Sequence, residues 1–219
     1  MEIFVLGICG SPIKGGNTEA YLEKALKAAS GCGARTELVA LAGRSISECR
    51  HCNFCIRKQT DGVFCALKDD MDEIYPKVLA ADALLVASPA YFGRLSGLSA
   101  IFVDRLRAFV FGNLYGGKMK NKVGGAMAVA WSRTSGIETT LLSLDYAFLA
   151  MEMILSSVHH EGVLYGAGGF SSIEGSGAFD RADKKLVLRD QVGLKSAKAL
   201  GTRAVELARL IAAGKKSLE

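Results

Sequence analysis

The sequence predicts an α/β protein, a single domain over residues 1–219 with a five-stranded parallel sheet between two layers of helices. Three observations predict it. Apolar runs of strand length recur along the chain, bounded by Gly, Pro, Ser or Asn. Stretches with apolar residues at helical spacing lie between them, and that alternation implies parallel pairing through right-handed crossovers. The first apolar run ends in a glycine-rich loop followed by a helix start, the local geometry that aims backbone N–H groups at an anion.

The elements follow in order. Residues 3–9 (IFVLGIC) are continuously apolar, as a strand buried on both faces must be, and stop at Gly10-Ser11-Pro12. Asn17 or Thr18 then caps a helix to about residue 30, with Tyr21, Leu22, Ala25, Leu26 and Ala29 on one face. Residues 36–41 read as the second strand. Residues 45–70 have no periodicity, hold four cysteines, and form an insertion before the third strand. A helix over 71–81 follows, with Asp69 and Asp70 as N-cap and first-turn acid. Residues 83–88 (ALLVAS) are the third buried strand. Residues 95–110 are helical, with Leu98, Ile101, Phe102, Arg105 and Leu106 in register. The fourth strand spans 122–130, a helix 136–150, and the fifth strand 153–158. A Gly/Ser-rich loop over 162–177 is expected to supply mobility or oligomer contacts, with Phe170 and Phe179 covering a cleft or a neighbouring subunit. The amphipathic terminal helix covers 190–213, and Lys215 and Lys216 are expected to fray. Five such strands suit the order 2-1-3-4-5, a flavodoxin-like three-layer sandwich, whose ligands bind beyond the carboxyl ends of strands 1 and 3.

Composition agrees. Of 219 residues, 50% are hydrophobic and 22% charged, enough to bury a substantial core. The net charge of +5 forms no basic stripe, and no zinc-finger, RRM or helix-turn-helix signature appears, so no nucleic-acid partner is expected. No run approaches membrane-spanning length; the most apolar stretch, 123–130, is strand-sized and contains Gly124 and Gly125. Glu2 opens directly into a strand pattern rather than a signal peptide. A cytoplasmic protein with no membrane partner is the expectation, where thiols stay reduced.

The predicted chemistry lies in loops. After the first strand come Gly10, Ser11, Pro12, Ile13, Lys14, Gly15, Gly16, Asn17 and Thr18. Backbone N–H groups near Gly16 to Thr18 and the side chains of Ser11, Asn17 and Thr18 suit a phosphate; a glycine turn with an N-cap is the plainer reading. The loop is neither a Walker A motif nor the dinucleotide fingerprint. A monophosphate held without magnesium, such as that of FMN, fits it. After the third strand, Ser88-Pro89-Ala90-Tyr91-Phe92-Gly93 faces the same ligand. Tyr91 or Phe92 can lie against an isoalloxazine ring, and backbone groups from Ala90 to Gly93 can hydrogen-bond its edge. After the fourth strand, Trp131-Ser132-Arg133-Thr134-Ser135-Gly136 forms a third wall. There Ser132 and Gly136 suit the pyrimidine edge, and Arg133 an anionic substrate or neighbouring subunit. Trp131 reads equally as packing.

Cys49, Cys52, Cys55 and Cys65 are spaced C-x2-C-x2-C-x9-C. Such thiols can make an all-cysteine shell for an iron–sulfur cluster or zinc. One Cys-x-x-Cys redox pair, or a set of unligated thiols, are the other readings. The flavin context favours the cluster. His51 lies in the same loop and can hydrogen-bond a sulfur or sit at the surface. Cys9 reads as core and Cys32 as a turn residue. His159 and His160 read as ordinary loop residues near the cleft rim.

The motifs Gly10-Ser11-Pro12-x-x-Gly-Gly-Asn17-Thr18, Ser88 to Gly93, and Gly136-x-Glu138-Thr139-Thr140 resemble the NADPH-dependent FMN reductase superfamily. The cysteine motif followed by Lys68-Asp69-Asp70-Met71 resembles its iron–sulfur flavoprotein branch. The resemblance covers about residues 3–209. It implies a flavodoxin-like fold, one FMN per chain, one 4Fe-4S cluster on Cys49, Cys52, Cys55 and Cys65, and a homodimer or homotetramer. By position it implies that Ser11, Gly16, Asn17 and Thr18, with Lys14 in the same loop, hold the phosphate. Pro89, Ala90, Tyr91, Phe92 and Gly93, and Ser132 through Arg133 to Gly136, would hold the ring. The nine-residue gap before Cys65 is longer than that branch leads one to expect, although closing a longer loop costs little entropy. The expected activity is flavin-dependent electron transfer that needs no side-chain acid or nucleophile. Donors and acceptors include NAD(P)H acting transiently, ferredoxin, a quinone, oxygen species or free flavin. The alternatives are an NAD(P)H-dependent FMN or quinone reductase without a cluster, and a non-enzymatic flavodoxin-like carrier.

Overall fold

The computed structural model describes residues 2–161 and 164–218. Its centre is β1 (Phe4–Cys9), buried along its whole length. The chain continues through α1 (Asn17–Gly31), β2 (Arg35–Ala40), a one-turn α2 (Phe54–Arg57) inside the cysteine segment, and α3 (Met71–Ala80). Next come β3 (Ala83–Tyr91), β4 (Arg94–Leu95), α4 (Gly97–Arg105), α5 (Arg107–Val110), β5 (Val123–Ala130) and α6 (Ile137–Ala150). The chain closes with β6 (Ile154–Leu155), β7 (Ala167–Phe170) and α7 (Gln191–Leu218). Among the described residues no helix is long and apolar enough to cross a membrane.

The sheet order is β2-β1-β3-β5-β6, the expected 2-1-3-4-5 arrangement, but among the described residues it has seven strands rather than five. The short β4 folds back antiparallel on β3, and β7 pairs with β5. The fifth strand expected over 153–158 is present as the two-residue β6, and β7, which was not expected, lies along the same side of β5. β6 pairs with Val123 and Gly124 at the start of β5, and β7 pairs with Met127 to Ala130 at its end. The segment read as a continuous Gly/Ser-rich loop therefore contains a strand, and its first residue, Gly162, lies outside the described residues. Strand periodicity splits the core in two. Phe4, Leu6, Ile8, Leu84 and Val86 face α3, α4 and α6. Val5, Cys9, Leu85 and Ala87 face α1 and α7. Cys9 is core, and burial raises its thiol to about 11.

Other boundaries moved for physical reasons. The helix expected over 95–110 is two helices with a break at Leu106; Leu95 belongs to β4. Ser96 is the N-cap of α4, its hydroxyl accepting from Ser99 N. The N-cap of α1 is Gly16, without a side-chain cap bond, instead of Asn17 or Thr18. α7 runs through Lys215 and Lys216 to Leu218.

Candidate functional site

The carboxyl ends of β1, β3 and β5 lie at one edge of the sheet, and their loops are tied together. Ser96 Oγ donates to Gly10 O at 2.6 Å and bonds Ser99 Oγ at 3.0 Å; Ser96 N donates to Ser88 Oγ at 3.1 Å. Gly10 N reaches Ala87 O at 2.8 Å. A side chain at Gly10 would collide with Ser99. Thr139 Oγ1, in the first turn of α6, donates to Gly93 O at 2.5 Å. These bonds fix the first and third loops on one another, and the third on α6.

In the first loop Ser11 is buried, and its Oγ accepts from Ile13 N at 3.1 Å, an ST-turn. Gly15 has φ +66°, and its N–H donates at 2.9 Å to Glu19 Oε2. An anionic oxygen already stands on a backbone donor of this loop. The first N–H groups of α1 have no intrahelical acceptor, and they carry the positive end of the helix dipole. Thr18 is buried, and Lys14 is exposed. Asn17 departs from expectation, since its Oδ1 accepts from Val187 N at 2.9 Å and anchors the segment before α7.

Pro89, Ala90 and Tyr91 are strand residues, not loop residues. β3 runs on to Tyr91 because Phe92 (φ 51°) and Gly93 (φ 74°) make a tight two-residue turn into β4. Two successive positive φ values are what a type I′ hairpin requires. The turn holds Phe92 fully in solvent and Tyr91 half-exposed. Partial burial raises the Tyr91 hydroxyl pKa. Gly136 caps α6 at φ +92°, and any Cβ there would strike the backbone of Gly93. Ser132 and Ser135 share a hydroxyl–hydroxyl bond. Arg133 turns away from this edge, donating from N to Gly175 O and from Nε to Glu174 O, and it lies over Phe170. Trp131 stacks on Phe179 at 5.2 Å and 9°. The edge thus has one end with free helix N–H groups and small polar side chains and another that is aromatic and glycine-lined.

The cysteine segment is closed at its neck by a buried ion pair. Asp69 takes Arg105 Nη1 at 2.6 Å and Nη2 at 3.2 Å, and also accepts from Ser47 N and Met71 N. Burial alone would raise the Asp69 pKa; the Arg105 guanidinium and the two amides hold it below the ordinary value. Arg105 further donates to Ser47 O and Tyr75 Oη. Asp70 accepts from Ser45 N at 2.7 Å. Asp70 stands at the N-cap of α3, as expected, without a side-chain cap bond, and the carboxylates of both acids also tie residues 45–47 to 69–70. Inside the segment Gln59 bonds Phe64 O, Ala108 O, Leu114 N and Tyr115 N. Phe64 stacks on Tyr115 and Tyr75.

His51 (φ 51°) and Asn53 (φ 60°) flank Cys52 in left-handed conformations that curl the loop. Cys55 is buried, Cys49 and Cys65 are half-buried and Cys52 is exposed. Burial pushes the Cys55 thiol up, Arg107 pulls it down, and Cys65 and Cys49 are near enough to act on it. All four are free thiols, and among the described residues no group of three or more His, Cys, Asp or Glu side chains is assembled to hold a metal ion. One feature nevertheless fits a sulfur-rich group here. Arg107 Nε, beside Cys55, is buried with no acceptor among the described residues, an omission worth about 1–3 kcal/mol. A cleft of about 400 Å³ reaches this point, lined by Cys49, His51, Leu106, Arg107 and Phe111. His159 and His160 are exposed and lie against each other.

Sequence reasoning missed Arg105, Gln59, Phe64 and Arg107 around the cysteines, and Ser96 and Thr139 at the sheet edge. Polar residues inside an apolar helical register, such as Arg105, were the available signal.

Residues 3–159 match the family model described as NADPH-dependent FMN reductase. An iron–sulfur flavoprotein of Methanocaldococcus jannaschii is 36% identical over 94% of this chain and 98% of its own. Among solved structures, RosB with bound 8-demethyl-8-formylriboflavin-5'-phosphate superposes with TM-score 0.72 at 14% identity, covering 96% of this chain and 81% of that one. A flavodoxin, WrbA-like protein from Agrobacterium tumefaciens gives 0.58 at 16% identity, covering 96% and 99%. These two show the flavodoxin-like fold.

Proposed function

The chain belongs to the NADPH-dependent FMN reductase family, in its iron–sulfur flavoprotein branch, and on that premise we propose that this flavin-dependent oxidoreductase passes electrons between a reduced donor, FMN and a 4Fe-4S cluster. When bound, the flavin links two-electron to one-electron chemistry and the cluster moves single electrons. The observation that carries the reading is the knitting of the β1, β3 and β5 loops into one edge by Ser96, Thr139 and the Gly93–Gly136 contact.

The chain's own residues then have defined tasks. Ser11, Gly16 and Thr18, with the free N–H groups of α1, hold the phosphate, and Lys14 adds positive charge from solvent. Asn17 contributes through position, since its side chain is committed to Val187. Pro89, Ala90, Tyr91, Phe92 and Gly93 present backbone groups and an aromatic surface to the ring. Ser132 and Gly136 close its far edge, and Arg133 braces the 174–175 turn beside it. Cys49, Cys52, Cys55 and Cys65 would ligate the cluster. No side-chain acid or nucleophile is called for. We propose NAD(P)H, ferredoxin or a quinone as exchange partners, a homodimer or homotetramer, and a cytoplasmic setting.

The exposed Cys52 thiol, with no group of three such ligands assembled among the described residues, favours as second reading an FMN or quinone reductase without a cluster. Anaerobic purification with assay of flavin, iron and acid-labile sulfide separates the two. About four irons and four sulfides with one FMN per chain are expected. Flavin without iron after reconstitution would leave the second reading. Light scattering on the same sample gives the oligomer, and turnover with NADH, NADPH and quinones would exclude a pure carrier.

A further inference from the structure

Arg107, in α5, carries an unmet demand. Its Nη2 donates to Asn53 Oδ1 at 2.8 Å, and its guanidinium carbon stands 5.0 Å from the centre of the Phe111 ring. Its Nε is buried and, among the described residues, donates to nothing, while the guanidinium as a whole already hydrogen-bonds the Cys55 thiol. The side chain lies beside the Cys55 thiol, with Cys49 and Cys65 acting on the same sulfur. It also lines the cleft that Cys49 and His51 open to solvent. A buried guanidinium donor left without an acceptor is costly, and native folds keep few. Here the directions that are satisfied hold the guanidinium still. Asn53, which fixes Nη2, sits at φ 60° between Cys52 and Cys55, so the arginine is referenced to the cysteine loop itself.

We propose that Arg107 is the positioning residue of the cysteine site, its Nε–H held ready for a sulfur of the bound group and its charge offsetting that of the thiolates. The inference rests on the reading that these cysteines carry a cluster. One effect follows from chemistry alone. Hydrogen bonds to the sulfurs and nearby positive charge stabilise the more negative, reduced cluster and raise its potential. Arg107 therefore sets how readily the site accepts an electron without ligating it.

The test compares wild type with Arg107→Gln and Arg107→Lys, each reconstituted anaerobically with iron and sulfide. The readings are iron per chain, bound flavin and cluster midpoint potential by EPR-monitored titration. Arg107→Gln keeps a polar group near the position of Nε but loses the charge and the reach to Asn53. Its potential is expected to fall by at least the equivalent of a tenfold change in the oxidised-to-reduced ratio, ~59 mV for one electron. Arg107→Lys, which keeps the charge and lacks Nε, is expected to fall between the two, with flavin content unchanged in both. If Arg107→Gln does not hold iron, the lysine variant carries the comparison. Wild-type potentials in iron-loaded variants would overturn the proposal while leaving the cluster reading intact. A wild-type protein that takes up no iron would overturn both.

Discussion

Asp145 is a buried carboxyl in α6, and burial alone pushes it up to about 7 from an ordinary 3.8. The folded chain keeps the proton that the unfolded chain releases first. Stability from this group is complete below pH 4, declines as pH rises toward 7, and is flat above it, at about 1.4 kcal/mol per unit of separation. Asp145→Asn is therefore expected to raise the melting temperature more at pH 8 than at pH 5, and an equal effect at both would show a hydrated, ionised carboxylate. Gly136 is the other residue with a specific forecast. At φ +92°, pressed on Gly93, it tolerates no side chain without about 1–3 kcal/mol of strain. Gly136→Ala should purify folded with markedly less flavin; full flavin content would remove this contact from the site. Asn17 shows why some roles are illegible at this scale. Its type and place suit a cap or a phosphate ligand, and only the fold reveals Val187, 170 positions away, as its partner.

The cysteine segment behaves as an element with a locked neck. Asp69 and Arg105 are both nearly inaccessible, and removing one member of a buried pair costs about 3–5 kcal/mol because the other charge stays behind. Asp69→Ala should expose residues 45–70 to limited proteolysis and lower the melting temperature, whereas Asp70→Ala, losing one exposed contact to Ser45, should do far less. Because the Asp69 pKa is depressed, the stability it supplies is intact above the ordinary carboxylate value and is lost only as pH falls below about 3.8. Protease sensitivity of the segment at pH 5 to 6 would contradict this. The sequence made the cysteines conspicuous but hid their supports. Gln59, Phe64 and Arg105 gain meaning only when α3, α5 and the segment meet, and no local spacing records that meeting.

For the whole molecule, strand order and layering were readable because β1, β3 and β5 are buried on both faces and must be apolar throughout. β7 was not legible for the opposite reason. β7 is Ala-Gly-Gly-Phe, small because Tyr21 lies against Gly169 and α7 crosses at Gly193. Close packing removed the side chains that a strand pattern needs, so the segment resembled a loop. Likewise β3 ran three residues beyond its apolar stretch, carried by the Phe92–Gly93 turn rather than by hydrophobicity.

The division of the sheet's outer border into β6 and β7 has a consequence for the molecule in a crowded solution. A continuous outer strand offers a row of unpaired amides on which another chain can polymerise. Here the border beside β5 is laid in two short lengths, with eleven residues, 156–166, between them. No foreign strand finds an unbroken template along it.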